Sequence, residues 1–136
     1  MSTRTFHLGD VLSITTGALV SPRRMDGVYD ILNWMTGDSL FTHQLPRAAD
    51  ECLGPLLAQH PDLAAVVAPD SFGSRDEAEA NVAAWLAVQV IVYGETREVA
   101  PLAAEDHTRM DPFTELRKMA PHAEIITVEV PGDGAS

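Results

Sequence analysis

The chain of 136 residues holds one cysteine, Cys52, and one lysine, Lys118. A lone thiol closes no internal disulfide, and without a second cysteine the usual structural zinc site has no ligands. Cysteine usage of this kind fits a reducing cytoplasm, with Cys52 read as a buried thiol on an apolar helical face. No uninterrupted apolar run reaches the roughly 18 residues a membrane span needs. The longest, Val82 to Tyr93, is broken by Gln89. The opening MSTRTFHLGD has no apolar core of a secretory signal. The phosphate-cradling glycine loop with its lysine is missing, as are the paired-histidine zinc helix and the serine nucleophile elbow, so those three chemistries are excluded. His7, His43, His60, His107 and His122 fall one per element with no metal-ligand spacing, so neither a metal nor a cofactor is expected.

What the chain has in excess is negative charge, a formal −11 at pH 7. Residues 1–50 set Arg4, Arg23, Arg24 and Arg47 against five aspartates, so the later residues carry nearly all of the imbalance. Binding a polyanion is driven by Lys and Arg displacing counterions, which argues against direct nucleic-acid binding. A carboxylate-rich surface is instead suited to rapid association with a basic surface on another protein. The length and the 46% hydrophobic content suit one domain with a proper core, taken as residues 1–130, and 131–136 as a frayed tail.

In chain order, Thr5 to Leu8 reads as a short strand, Gly9 and Asp10 as a break and helix cap, and the helix that follows as ending at Gly17. Ser21 and Pro22 form a helix start and Gly37 its stop, with Met25, Val28, Tyr29, Leu32 and Met35 as the core-facing stripe. A third helix opens at His43 or Gln44, carries Ala49, Cys52, Leu53, Leu56 and Leu57 inward, and must kink or split at Gly54 and Pro55. Leu63 to Ala68 has the length and composition of a buried strand. Ser74 and Glu77 have the spacing of a capping box ahead of the longest helix, which is apolar on nearly every side toward Tyr93 and so reads as the central helix of the core. Thr96 to Pro101 reads as a strand, Asp111 and Pro112 as the start of a short helix, and Glu124 to Val130 as a β-branched strand. The sum is an α+β domain, with a small mixed or antiparallel sheet of three to four strands on about five helices.

Two polar sets emerge. Thr15, Thr16, Arg23, Arg24, Asp38, His43, Gln44, Arg47 and Arg109 are loop-adjacent hydroxyls, amides and cations that could converge on an anionic small ligand or nucleotide. The alternative is internal pairing of Arg23 or Arg24 with Asp26, Asp30 or Asp38. The second set, Asp26, Asp30, Asp70, Asp76, Glu77, Glu79, Glu95, Glu98, Glu105 and Asp106, would form the partner-facing surface, with Trp34 as an aromatic anchor if it is exposed.

In the runs FHLGDVLSITTG, SPRRMDGVYDILNWMTGD and LFTHQLPRA the sequence resembles a family of small uncharacterised proteins of bacteriophages and prophages, over residues 5–60 and more loosely to about 130. The resemblance implies a mobile-element origin and carries over no activity or catalytic residue. The leading expectation is a non-enzymatic acidic protein of the host cytoplasm that inhibits a host defence or nucleic-acid-handling protein, as anti-CRISPR-like nucleic-acid mimics do. A ligand-binding protein or enzyme using Thr15, Arg24, His43, Arg47 and Arg109 is the alternative. A structural homo-oligomer, such as a homodimer touching at Trp34, is the third.

Overall fold

The computed structural model describes residues 2–103, 105, 107–108 and 112–119. The expected strand Glu124–Val130, the tail, the Asp111 cap, Asp106 and Arg109 lie outside the described residues. The elements run β1 (Arg4–His7), α1 (Leu8–Thr16), α2 (Met25–Thr36), α3 (Leu45–Gln59), α4 (Arg75–Tyr93), β2 (Thr96–Val99) and α5 (Pro112–Met119), with 3₁₀ turns at Thr42–Gln44 and Pro61–Ala65. This is a helix-rich α+β arrangement whose sheet, among the described residues, has two strands rather than three or four. β1 and β2 pair antiparallel, Arg4 opposite Val99 and His7 opposite Thr96. Leu63 to Ala68 supplies no strand: Pro61 opens a 3₁₀ turn that buries Leu63 and, just beyond it, Val66.

The centre of the molecule is α1, and its position explains most departures from the expected boundaries. Strand passes into helix without a loop, because His7 stays extended and its Nδ1 accepts from the Gly9 amide. Gly9 and Asp10 therefore sit inside the helix. Gly9 is there for space, since a Cβ would lie 2.7 Å from Pro22 Cδ and 2.9 Å from both Leu86 Cδ2 and the Val20 carbonyl. Leu8, Val11 and Leu12 have no exposed surface, and every residue from Leu8 to Ile14 is buried. At about 25 cal/mol per Å² of apolar area, burial on all sides makes this nine-residue helix the main hydrophobic anchor of the fold. Gly17 ends it with φ 78°, a left-handed stop.

α2 and α3 close over α1. Met25 is 39% exposed and Ile31, with Leu32 and Met35, faces the core, so the inward stripe of α2 is turned by a residue from the periodic reading. α3 runs unbroken through Pro55, held by Ala48, Cys52 and Leu56, all fully buried. Burial pushes the Cys52 thiol up to about 12, with the Glu51 charge adding to it.

α4 overturns the expectation of a central helix. Leu86 is its one buried residue among 19, while Val88, Ile91 and Val92 are 56%, 84% and 65% exposed. The core has already been filled by α1, α2 and α3, so α4 lies across the outside and packs Val82, Trp85 and Val90 only partly. Phe72 meets Trp85 edge-on, with centroids 5.9 Å apart. Ser74 does precede the first turn, but its side chain makes no capping hydrogen bond.

Candidate functional site

Among the described residues, three constellations gather most of the arginines and loop side chains singled out from the sequence. The first is a knot around Asp10, whose carboxylate is fully buried on α1. Ser21 Oγ donates to Oδ1 and Arg23 donates to Oδ2 at 2.7 Å. Arg23 also pairs with Asp30 at 3.1 Å, and Asp30 receives both ends of the Arg4 guanidinium at 2.8 Å. Burial raises the Asp30 pKa, but the hydrogen bonds from Arg4 and Arg23 outweigh that and hold it below the ordinary value of 3.8. Ser13 Oγ accepts from the Val20 and Ser21 amides and donates to the Gly9 carbonyl. Ser21 is thus a bridge between helices, not the cap of α2; its hydroxyl also accepts from the Arg23 amide. The residue that enters α2 is Arg24, with φ 57°, a conformation L-residues rarely hold. Gly27 packs against the knot, where a Cβ would meet Ser21 Oγ at 2.1 Å and Asp10 Oδ1 at 2.3 Å.

The second constellation joins α3 to the 105–119 stretch. Arg47 grips Glu115 with two nitrogens, at 2.7 and 2.8 Å, and gives its third to Glu51 and the Thr108 carbonyl. Gln44 adds a hydrogen bond to Glu115, and His43 Nε2 lies 2.7 Å from the Pro112 carbonyl. The His107 ring sits between two carboxylates, Nδ1 facing Glu51 and Nε2 facing Asp38 at 3.2 Å. A neutral imidazole has one N–H and can donate to only one of them. The Arg47 hydrogen bonds outweigh burial and hold the Glu115 carboxyl below its ordinary value of 4.5.

The third is a groove of about 860 Å³ between α4 and the segment 19–24. Leu19, Val20 and Pro22 face Val82, Leu86 and Val90 across it. Arg24 pairs with Glu79 at its edge at 2.7 Å, while Arg75 and Glu95 line it without an ion-pair partner among the described residues.

The ligand set from the sequence is divided between these places. Arg23 belongs to the first, Asp38, His43, Gln44 and Arg47 to the second, and Arg24 to the third. Thr16 donates to the Leu12 carbonyl and accepts from the Ala18 amide, closing α1. Thr15 Oγ1 is buried without a hydrogen-bond partner among the described residues. Arg23, Arg24 and Arg47 share no carboxylate, and an anion reaching Arg47 would have to displace Glu115.

Of the partner set, Asp26, Asp70, Asp76, Glu77, Glu95 and Glu105 are exposed and lack an arginine, lysine or histidine partner among the described residues. Glu98 is exposed and accepts from the Thr3 and Thr5 hydroxyls, which hold its pKa down. Asp30 and Glu79 are paired as above. Trp34 is half-buried and donates from Nε1 to the Val99 carbonyl at 2.9 Å, tying α2 to β2.

Sequence reasoning passed over Asp10 as a site residue. Its signal was present, as a lone charge in the otherwise apolar run LGDVLSI. Glu115 had no such signal, because its partners Gln44 and Arg47 lie more than 50 residues away, and Glu51 signalled only its pairing with Arg47 four residues back, not its contact with His107.

Residues 6–66 match a sequence family described as a domain of unknown function (DUF7736). The match takes in α1, α2 and α3 and stops short of α4, β2 and α5. No curated protein and no solved structure matches the chain.

Proposed function

We propose that the chain is a non-enzymatic binding protein of mobile-element origin, whose carboxylate-rich surface occupies a basic surface of a host defence or nucleic-acid-handling protein in the host cytoplasm. The observation that carries this reading is how the charges are divided. Arg4, Arg23, Arg24, Arg47 and Arg97 are tied to Asp10, Asp30, Asp62, Glu51, Glu79 and Glu115. Their pairing leaves Asp70, Asp76 and Glu77, at and before the head of α4, and Asp26 on α2, as exposed and unneutralised charge. The positive end of the α4 dipole favours Asp76 and Glu77 where they stand, and with Asp70 they outnumber the exposed Arg75 beside them. Charge of this kind accelerates encounter with a cationic surface and is screened over about 8 Å at physiological salt.

The test is titration of the chain against basic defence nucleoprotein complexes at low and high salt. Binding should weaken steeply with salt and fall further in the double variant Asp76→Lys, Glu77→Lys. Recovery of no salt-sensitive partner overturns the reading.

A further inference from the structure

We infer that α4 is a self-association surface, on which a second copy of this chain lays its own α4 antiparallel about a two-fold axis. The inference stands apart from the proposed partner. From Ala80 to Tyr93 the helix carries no charged residue, yet one side chain in this stretch is buried. To one side of Leu86, the exposed residues Ala80, Ala84, Ala87 and Ile91 recur at steps of four, three and four, Ala87 and Ile91 also lining the groove that Arg75 and Glu95 line. That is the spacing of a two-helix seam, with Val88 beside it. Ile91 is the most exposed large apolar side chain among the described residues, at 84%.

Small residues alone would leave the occupant open; charge and size choose it. A parallel pairing would set Asp76, Glu77 and Glu79 of one copy beside those of the other. An antiparallel pairing separates those clusters and opposes the two helix dipoles. With Ile91 of each copy over Ala80 of its mate, Ala84 faces Ala87, so the bulky half of one helix meets the small half of the other. The same alignment brings Arg75 level with the Glu95 region of the second copy. Neither has an ion-pair partner within its own chain among the described residues. Such an interface is isologous, each patch meeting itself. It moves the homodimer contact away from Trp34, which is spent on β2.

Sedimentation equilibrium of the full chain, at low and high salt, tests this directly. The expected result is a dimer that tightens as salt rises, because two chains of formal charge −11 repel each other. Salt acts in the reverse direction on the basic partner proposed above, so failure of one reading is distinguishable from failure of the other. Ala84→Glu with Ile91→Glu should give a single-chain mass with an unchanged circular dichroism spectrum, whereas Val67→Glu, on another exposed apolar residue, should leave the dimer intact. Arg75→Glu should weaken association and Arg75→Glu with Glu95→Arg should restore it. A single-chain mass at every concentration and both salts would give the face to a different occupant and overturn the pairing. So would a dimer that survives the double glutamate substitution.

Discussion

Residues 6–66 and residues 67–119 handle exposed chemistry in opposite ways. In the first, a short helix is buried on every side and its one charge is absorbed by Ser21 and Arg23. In the second, a helix of 19 residues has one buried side chain, and its carboxylates, with Val88, Ile91 and Val92, face out. The first stretch centres on a sealed helix and is completed by β2, Thr108 and Glu115; the second adds a long helix that offers surface. The boundary between them falls where the family match ends, with α4, β2 and α5 beyond it.

Substitutions on either side of the boundary sharpen or break this contrast. The largest loss should come from Gly27→Ala, whose Cβ would collide with both Ser21 and Asp10. Overpacking plus a broken buried hydrogen bond should cost roughly 4 kcal/mol in urea denaturation. Asp10→Ala should follow at roughly 3 kcal/mol, less than a sealed ion pair would lose because Arg23 can regain water. Glu115→Ala should cost roughly 2 kcal/mol and act locally, freeing α5 to proteases before the core opens. Val88→Ser should change single-chain stability by no more than about 0.5 kcal/mol, since the side chain meets water already. A cost at Val88 as large as that at Asp10, measured in dilute solution, would break the contrast.

Acid should probe both regions at once. Glu115 and Asp30 both titrate lower when folded than their ordinary values of 4.5 and 3.8. Each therefore adds stability that is complete above those values and is lost as pH falls through the folded ones. Cys52 works at the alkaline end: its folded value is about 12 against an ordinary 9.0, so its contribution fades as pH climbs above 9.0. Melting temperature against pH should decline on both flanks, and Arg47→Met should remove part of the acid-side decline.

Much of this was legible in the sequence where the cause was local. The Gly17 and Gly37 stops, the head of α4 at Ser74, β2 and α5 follow from residues next to one another in the chain. The errors share a different origin. An apolar helix was assigned to the centre because amphipathicity reveals a covered face only when the other face is polar, and α4 has no polar face beyond its first turns. The boundary at Gly9 was misread because glycine signals a break in sequence but served here to admit Pro22 and Leu86. Of the candidate site, the arginines and one mate, Asp30 for Arg23, were legible, but Asp10, Glu79 and Glu115 were not, since partners such as Arg47 and Glu115 meet only after the chain has closed a long loop.

The sealed position of Cys52 turns the molecule into its own gauge. With no other sulfhydryl in the chain, a thiol-reactive dye added to the native protein can react only when α3 lifts from the interior, so labelling rate would count breathing events of the core directly, without any engineered probe.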